Sequence, residues 1–507
     1  MKRLLILLLV LCYAGPAWAQ VDDHDHEHEH EHDEAGGPPP GPPPPNLPPP
    51  GPEELAALTK IDGIKSKHPT NEAEARTLSA QYEEALTAYI NGFPESPRAG
   101  LALEAALKND IAAGDPGKAE KLARAFIDHA KSPEAKSQGQ RELLQVYKFG
   151  GQPDRAIAFA LEQANKEPDR PDSEFFVYEA ATIQADRGLH DKGVEILETY
   201  IKDHPKHPAL NKLKLRVADF LVSAGRAREA LPRLDAIEKA SQNAEEKVLA
   251  TYFTGVALLA ASRQATGDEA ALLRKQALAV LAPLVDETRK NAKANRPYGG
   301  MAFTTIADVA LAAGDVKQAG RIYEEMAKLF AGEAEEKYAT KSLADLMFIG
   351  LPLTDLEGPE LGSGKPVKST DFHGKILLVD FFTLGYPEYP NTAAAEKRLA
   401  KKLAGQPFAM LGVSLNGKEY KDQVKQAVEV LNLDWPVIFD GSGVGGAMAT
   451  SHHITAMPAN FLVDENGIVL RVNLFGPHLD DMCTQEAARV AKGLPSVYRK
   501  PAAGGGK

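Results

Sequence analysis

The sequence predicts a multidomain chain: an all-α solenoid of stacked helix pairs over residues 53–345, an α/β domain over 346–497, and a disordered N-terminal tail. Three observations predict this. Turn glycines recur at a fixed interval through the first half. Near residue 346 an Ala-, Leu-, Glu- and Lys-rich composition gives way to short apolar runs alternating with helical ones. Residues 20–52 hold almost no apolar side chains. At 507 residues the chain is also too long for one hydrophobic core.

Residues 1–19 have the parts of a secretory signal peptide: basic Lys2-Arg3, an apolar run from Leu4 to Cys12, and small residues at Ala17 and Ala19. Cleavage after Ala19 leaves Gln20 first. A lipidated Cys12 is the alternative, although Leu11 is larger than that signal favours. The expectation is an exported protein of the periplasm, cell envelope or extracellular space. No other apolar run approaches the ~20 residues needed to cross a bilayer, so no membrane span is expected in the mature chain. Cys12 departs with the signal, which leaves Cys483 alone and no internal disulfide. Cys483 lies in the last helical pattern and reads as a small buried apolar residue in preference to a reactive thiol.

Residues 20–52 form the tail and its spacer. Between Asp22 and Glu34, His24, His26, His28, His30 and His32 alternate with eight carboxylates and no Lys or Arg, so this stretch supplies most of the formal net charge of −12. Such a segment cannot bury enough apolar surface to offset the entropy of ordering. Imidazoles on a flexible strand can wrap a zinc, nickel or copper ion without a preformed site, and lose it as they protonate below about pH 6. The pattern resembles the His-rich loops of exported zinc-handling proteins. The competing reading is a solvated acidic tail that keeps the protein soluble. Eleven prolines among the fifteen residues 38–52 follow, a semi-rigid polyproline II spacer of roughly 45 Å at about 3.1 Å per residue.

In the helical region Gly114, Gly151, Gly188 and Gly225 are each 37 residues apart, and Gly314 recurs later. A small residue follows each by five positions: Ala119, Ala156, Gly193, Ala230 and Ala319. Gly permits the tight turn between two helices, and the small residue lets them approach closely. Pro97, Pro168 and Pro205 fall where second helices should end. This spacing resembles a slightly lengthened tetratricopeptide repeat, with Gly314–Phe330 the clearest unit and an irregular stretch from Ser241 to Lys293. About six or seven helix pairs are expected, stacked because one pair cannot bury its apolar face alone. The resemblance implies protein or peptide binding on the concave face; the alternative is a spacer.

The α/β domain opens with Gly364-Lys365-Pro366-Val367 and Asp371-Phe372-His373-Gly374-Lys375. The strand Ile376–Phe382 follows, then the turn Thr383-Leu384-Gly385-Tyr386-Pro387-Glu388-Tyr389 and a helical pattern from about Asn391. A strand (Phe408–Leu415), a helix (Lys418–Leu431) and a strand (Trp435–Asp440) come next. Ile454 to Asp464 contains Met457-Pro458, Asp464-Glu465-Asn466-Gly467 is a hairpin turn, Val469–Leu474 is its return strand, and Asp480–Lys492 is the closing helix.

This order and spacing resembles the redoxin family of thioredoxin-like reductases and peroxiredoxins. In that family the strand-to-helix turn carries the reactive Cys or Cys-x-x-Cys, and the Met457-Pro458 position is a cis-proline that offers backbone hydrogen bonds to an extended substrate. Here Tyr386 and Tyr389 stand at the cysteine positions. A phenol with a pKa near ~10 cannot attack a sulfur. The resemblance therefore implies a degenerate redox site in which Tyr386, Pro387, Glu388, Tyr389, Met457 and Pro458 form a peptide contact surface, or in which the tyrosines fill the space of lost thiols. Glu388, His373, His452 and His453 mark a competing metal or acid–base site.

Several classes are excluded. Gly441–Gly446 lacks the Lys of a phosphate loop, and there is no Gly-x-Ser-x-Gly and no His-Glu-x-x-His. An acidic chain without a basic patch argues against nucleic acid. Three functions remain: a redox-inactive binding protein, a thiol-disulfide oxidoreductase or peroxiredoxin-like enzyme working through Cys483 or a partner's thiols, and a metal storage or delivery protein.

Overall fold

The computed structural model describes residues 48–67, 72–112, 115–168, 170, 172–386 and 389–498. The signal peptide, His-rich tail, most of the proline spacer, Gly114, Pro387, Glu388 and residues 499–507 lie outside the described residues. The chain divides into two compact units, the first ending at Leu210 and the second beginning at Asn211.

In the first unit, helices Ala99–Ala112 and Pro116–His129, Pro133–Phe149 and Pro153–Lys166, and Ser173–Asp186 and His190–Asp203 form successive pairs behind Pro52–Lys65 and Glu72–Gly92. Gly151 and Gly188 turn the chain between paired helices at φ +72° and +76°, a region that favours glycine. Ala119, Ala156 and Gly193 are buried at the crossings, as the spacing predicts. Each pair is tied to the next by side chains about one repeat apart: Arg155 Nη2 donates to Glu120 Oε1 (2.7 Å), Arg187 Nη1 to Asp154 Oδ1 (2.7 Å), and the Tyr200 hydroxyl to the Ala164 carbonyl (3.2 Å).

The second unit continues the pattern through Leu210–Ser223 (whose first residue ends the first unit), Ala227–Ala240, Ala244–Gln264, Gly267–Lys290, Arg296–Ala312 and Val316–Leu329, closed by Ala334–Asp345. Ala244–Gln264 and Gly267–Lys290 are longer than the other helices of this unit, as the irregular sequence there suggests. They cross at Gly255, where a Cβ would lie 2.5 Å from Leu281 Cγ. The sequence reading of six or seven pairs agrees with this helix order.

The α/β domain follows in the same unit. Strands β1 (Glu357–Pro359) and β2 (Pro366–Lys368) make an antiparallel hairpin. Strands β3 (Ile376–Phe382), β4 (Phe408–Ser414), β5 (Val437–Phe439), β6 (Ala459–Val463) and β7 (Val469–Val472) form a mixed sheet in the order β5-β4-β3-β6-β7. β3 pairs parallel with β4 and antiparallel with β6. Being central and covered on both faces, β3 reads as seven consecutive buried residues.

Both sheet edges are covered. Leu361 donates its N–H to the Val437 carbonyl at 2.8 Å beside β5, and Val469 of β7 donates to the Leu351 carbonyl at 2.8 Å. The segment joining helix Ala334–Asp345 to the sheet therefore protects an edge that would otherwise template aggregation. Asn473 Nδ2 also donates to Asp345 Oδ1 (2.9 Å). Tyr498, one residue past the expected end of the α/β domain, is anchored: Arg471 Nη1 donates to its hydroxyl (3.0 Å), which donates to the Leu311 carbonyl (3.2 Å).

Candidate functional site

Alternation along β3 sends Ile376, Leu378, Asp380 and Phe382 to one face, towards helices Tyr389–Lys402 and Pro477–Ala491. Phe382 leads into the loop that bears the two tyrosines. Asn416 holds that loop: its Oδ1 accepts from the Leu384 N–H (3.1 Å) and its Nδ2 donates to Thr383 Oγ1 (3.2 Å).

The two tyrosines part company here. Tyr386 is half-buried and packs with Leu384, Met457 and Leu474 against the apolar core, which leaves part of each accessible. The Met457–Pro458 bond is cis. Nearby, buried Asn460 fixes the neighbouring segment, accepting from Leu474 N–H (2.9 Å) and donating to its carbonyl (2.6 Å). Tyr389 instead faces inward and is 3% exposed. Its ring stacks on Phe382 at 4.5 Å, and its hydroxyl donates to Asp380 Oδ2 at 3.1 Å. It therefore does not join the contact surface that the sequence assigned to it; it fills the space beneath the loop.

Under Tyr389 lies an acid pair absent from the sequence-derived site. Asp380 and Glu396 are each 1% exposed. Asp380 Oδ1 and both Glu396 oxygens have no hydrogen-bond partner among the described residues. Burial pushes the Asp380 carboxyl up to about 7, against the lowering effect of the Tyr389 hydrogen bond. Burial raises Glu396 well above the usual range, and the Asp380 charge raises it further. Cys483, on the opposing helix, is 0% exposed. Burial and then the charges of Asp480, Glu396 and Glu486 hold its thiol well above the ordinary value.

The histidines do not converge on this site. His452 is buried, its Nδ1 lying 2.8 Å from the Met448 carbonyl and its Nε2 3.1 Å from that of Thr354. His453 is exposed at φ +52°, its ring 5.7 Å from that of Phe348. His373 borders a cavity of about 160 Å³ with Phe372, Leu377, Val463 and Asp464, at the opposite end of β3. Among the described residues no group of three His, Cys, Asp or Glu side chains is placed to hold a metal ion.

Residues 349–472 match the AhpC/TSA family, and this region is a thioredoxin-like domain. Solved structures similar to the chain include a thiol-disulfide oxidoreductase from Bacteroides fragilis (24% identity, 27% of this chain, 98% of that chain, TM-score 0.25). The thioredoxin domain of a thiol-disulfide oxidoreductase from Bacteroides vulgatus is also similar (24% identity, 29% of this chain, 98% of that chain, TM-score 0.25). A third is a thiol:disulfide interchange protein from Bacteroides sp. (23% identity, 29% of this chain, 93% of that chain, TM-score 0.26). A search of curated proteins finds no match.

Proposed function

We propose that this chain is an exported, redox-inactive thioredoxin-like protein that binds protein or peptide segments, with the half-buried surface of Leu384, Tyr386, Met457 and Leu474 as the contact on its α/β domain. One observation carries the reading: the strand-to-helix turn carries Tyr386 and Tyr389, and the remaining thiol of a cleaved chain, Cys483, is wholly buried. Disulfide exchange needs an accessible thiolate. What the turn and the neighbouring cis-proline segment offer instead is an aromatic ring and a thioether, a combination suited to adaptable peptide contact. The helical repeats supply a second surface of the kind that binds extended segments. The His-rich tail adds weak uptake of zinc, nickel or copper.

The test has two arms. Insulin reduction and peroxide turnover are expected to be absent from the mature protein and from its Cys483→Ser variant alike. A peptide chosen from a random display library on the mature protein is expected to lose at least tenfold in affinity on Met457→Ser or Tyr386→Ser, a change of about 1.4 kcal/mol. Turnover that disappears in Cys483→Ser, or selected peptides indifferent to both substitutions, contradicts the assignment.

A further inference from the structure

Beneath the contact surface the fold encloses more negative charge than it can satisfy. Asp380 projects from the central strand β3, which is hydrogen-bonded on both sides and cannot yield. Glu396 projects from helix Tyr389–Lys402, a layer on the sheet's outside. One donor, the Tyr389 hydroxyl, reaches Asp380, and the other Asp380 oxygen and both Glu396 oxygens have none among the described residues.

The surroundings offer little relief. From helix Pro477–Ala491 come Cys483, Asp480 and Glu486, of which two are acids; Lys402, at the far end of Glu396's own helix, is the base whose charge is felt at Cys483. On the same side of the sheet sits Trp435. Its indole nitrogen is 3.4 Å from where a Gly412 Cβ would stand, Gly412 is the register partner of Asp380, and that N–H has no acceptor among the described residues. Protonation of the two acids makes the arrangement tolerable, because it removes the buried charge. Two ionised carboxylates in this apolar layer do not remain there, because a buried charge without donors is driven towards water.

We propose that Asp380 and Glu396 are a proton-operated switch on the contact surface: protonated, they keep helix Tyr389–Lys402 docked; both ionised, they expel Glu396 and loosen the helix. The lever is short. Tyr389, the helix's first residue, is bonded to Asp380, stacked on Phe382, and donates its N–H to the Tyr386 carbonyl at 3.2 Å. Moving Glu396 outward unseats Tyr389 and with it the backbone that positions Tyr386. The contact surface is ordered in mild acid and mobile in alkali. This inference rests on the reading of Tyr386 and Met457 as a binding surface, but its test does not use a peptide.

Amide hydrogen exchange is measured on the mature protein at pH 5 and pH 9, corrected for the intrinsic pH dependence of exchange. Protection of residues 389–402 is expected to fall at least ~10-fold at the higher pH while the β3 and β6 amides stay protected. Asp380→Asn supplies an amide donor to Glu396 and keeps an acceptor for Tyr389; Glu396→Gln does the converse. Each is expected to abolish the difference between the two pH values. Fluorescence of Trp435, the one tryptophan left after cleavage behind Ala19, gives an independent readout, with a transition present in the parent and absent from both variants. Equal helix protection at both pH values in the parent overturns the switch, as does a difference that persists in both variants.

Discussion

Cys483 is the residue on which the enzymatic alternative depends, and its chemical accessibility can be predicted. The thiol is 0% exposed on the inner side of helix Pro477–Ala491. An exposed cysteine with a pKa near ~8.5 is about 3% thiolate at pH 7, and each unit of upward shift cuts that tenfold. Burial and the charges of Asp480, Glu396 and Glu486 all act upward here. Reagent access also requires the closing helix to leave the sheet. If that opening costs about 5 kcal/mol, the low end of domain stabilities, the open fraction is of order 10⁻⁴. Native labelling should therefore run at least ~10³-fold slower than labelling of the urea-unfolded chain. The assay is alkylation by iodoacetamide followed by mass spectrometry, on a Cys12→Ser chain so that Cys483 is the only thiol. A native rate within tenfold of the unfolded rate would refute the burial argument and restore Cys483 as a candidate redox group.

Four other outcomes are expected. The folded protein holds the Asp380 proton more tightly than the unfolded chain, with a pKa of about 7 against 3.8, so this group's contribution to stability is greatest below about pH 4 and declines as pH rises through 7. Asp380→Asn should remove that loss and raise stability at pH 8 by up to about 4 kcal/mol, read by urea denaturation; a lower stability at pH 8 counts against the unpaired acids. Gly255→Ala gains up to ~1 kcal/mol of helix propensity but drives a methyl into Leu281, at a cost of about 1–3 kcal/mol, so net destabilisation is expected, whereas Gly63→Ala, with open space around it, should stabilise. Joint Tyr386→Cys and Tyr389→Cys substitution should create a disulfide reducible by dithiothreitol, detected by mass spectrometry, if the turn keeps redoxin geometry. Deleting residues 20–34 should remove zinc uptake measured by calorimetry at pH 7.5, and uptake by the intact protein should vanish below about pH 6.

What the sequence reveals here follows from what each feature depends on. The repeat is legible because a tight turn needs Gly and a close crossing needs a small residue, requirements local enough to survive as a 37-residue spacing; Gly151, Gly188, Gly225 and Gly314 all take positive φ. The α/β domain is legible because strand, turn and helix signals come in a fixed order. The difference between Tyr386 and Tyr389 is not legible. The sequence places the helix start near Asn391, whereas the helix begins at Tyr389, and only that start turns Tyr389 inward.

The acid pair lies between these cases. Asp380 interrupts a run of apolar residues in the longest fully buried strand, a signal open to sequence reasoning but overshadowed by the missing cysteines. Glu396 follows Tyr389 by seven positions and Ala393 by three, on the same helical stripe, so it is recognisable as buried only once the helix phase is known. Elsewhere in Thr392–Lys402, charged residues on the solvent side are what an amphipathic helix requires, and nothing in composition separates Glu396 from them. Its environment is set by Asp380, sixteen residues before it, and its own charge is felt at Cys483, eighty-seven residues after it, neighbours that the fold alone brings together. The turn lacks cysteines where the resemblance places them; the buried acids beneath it mark where an energetic cost remains, and a fold that keeps carboxylate oxygens without a hydrogen-bond partner among the described residues keeps a group able to respond to protons there.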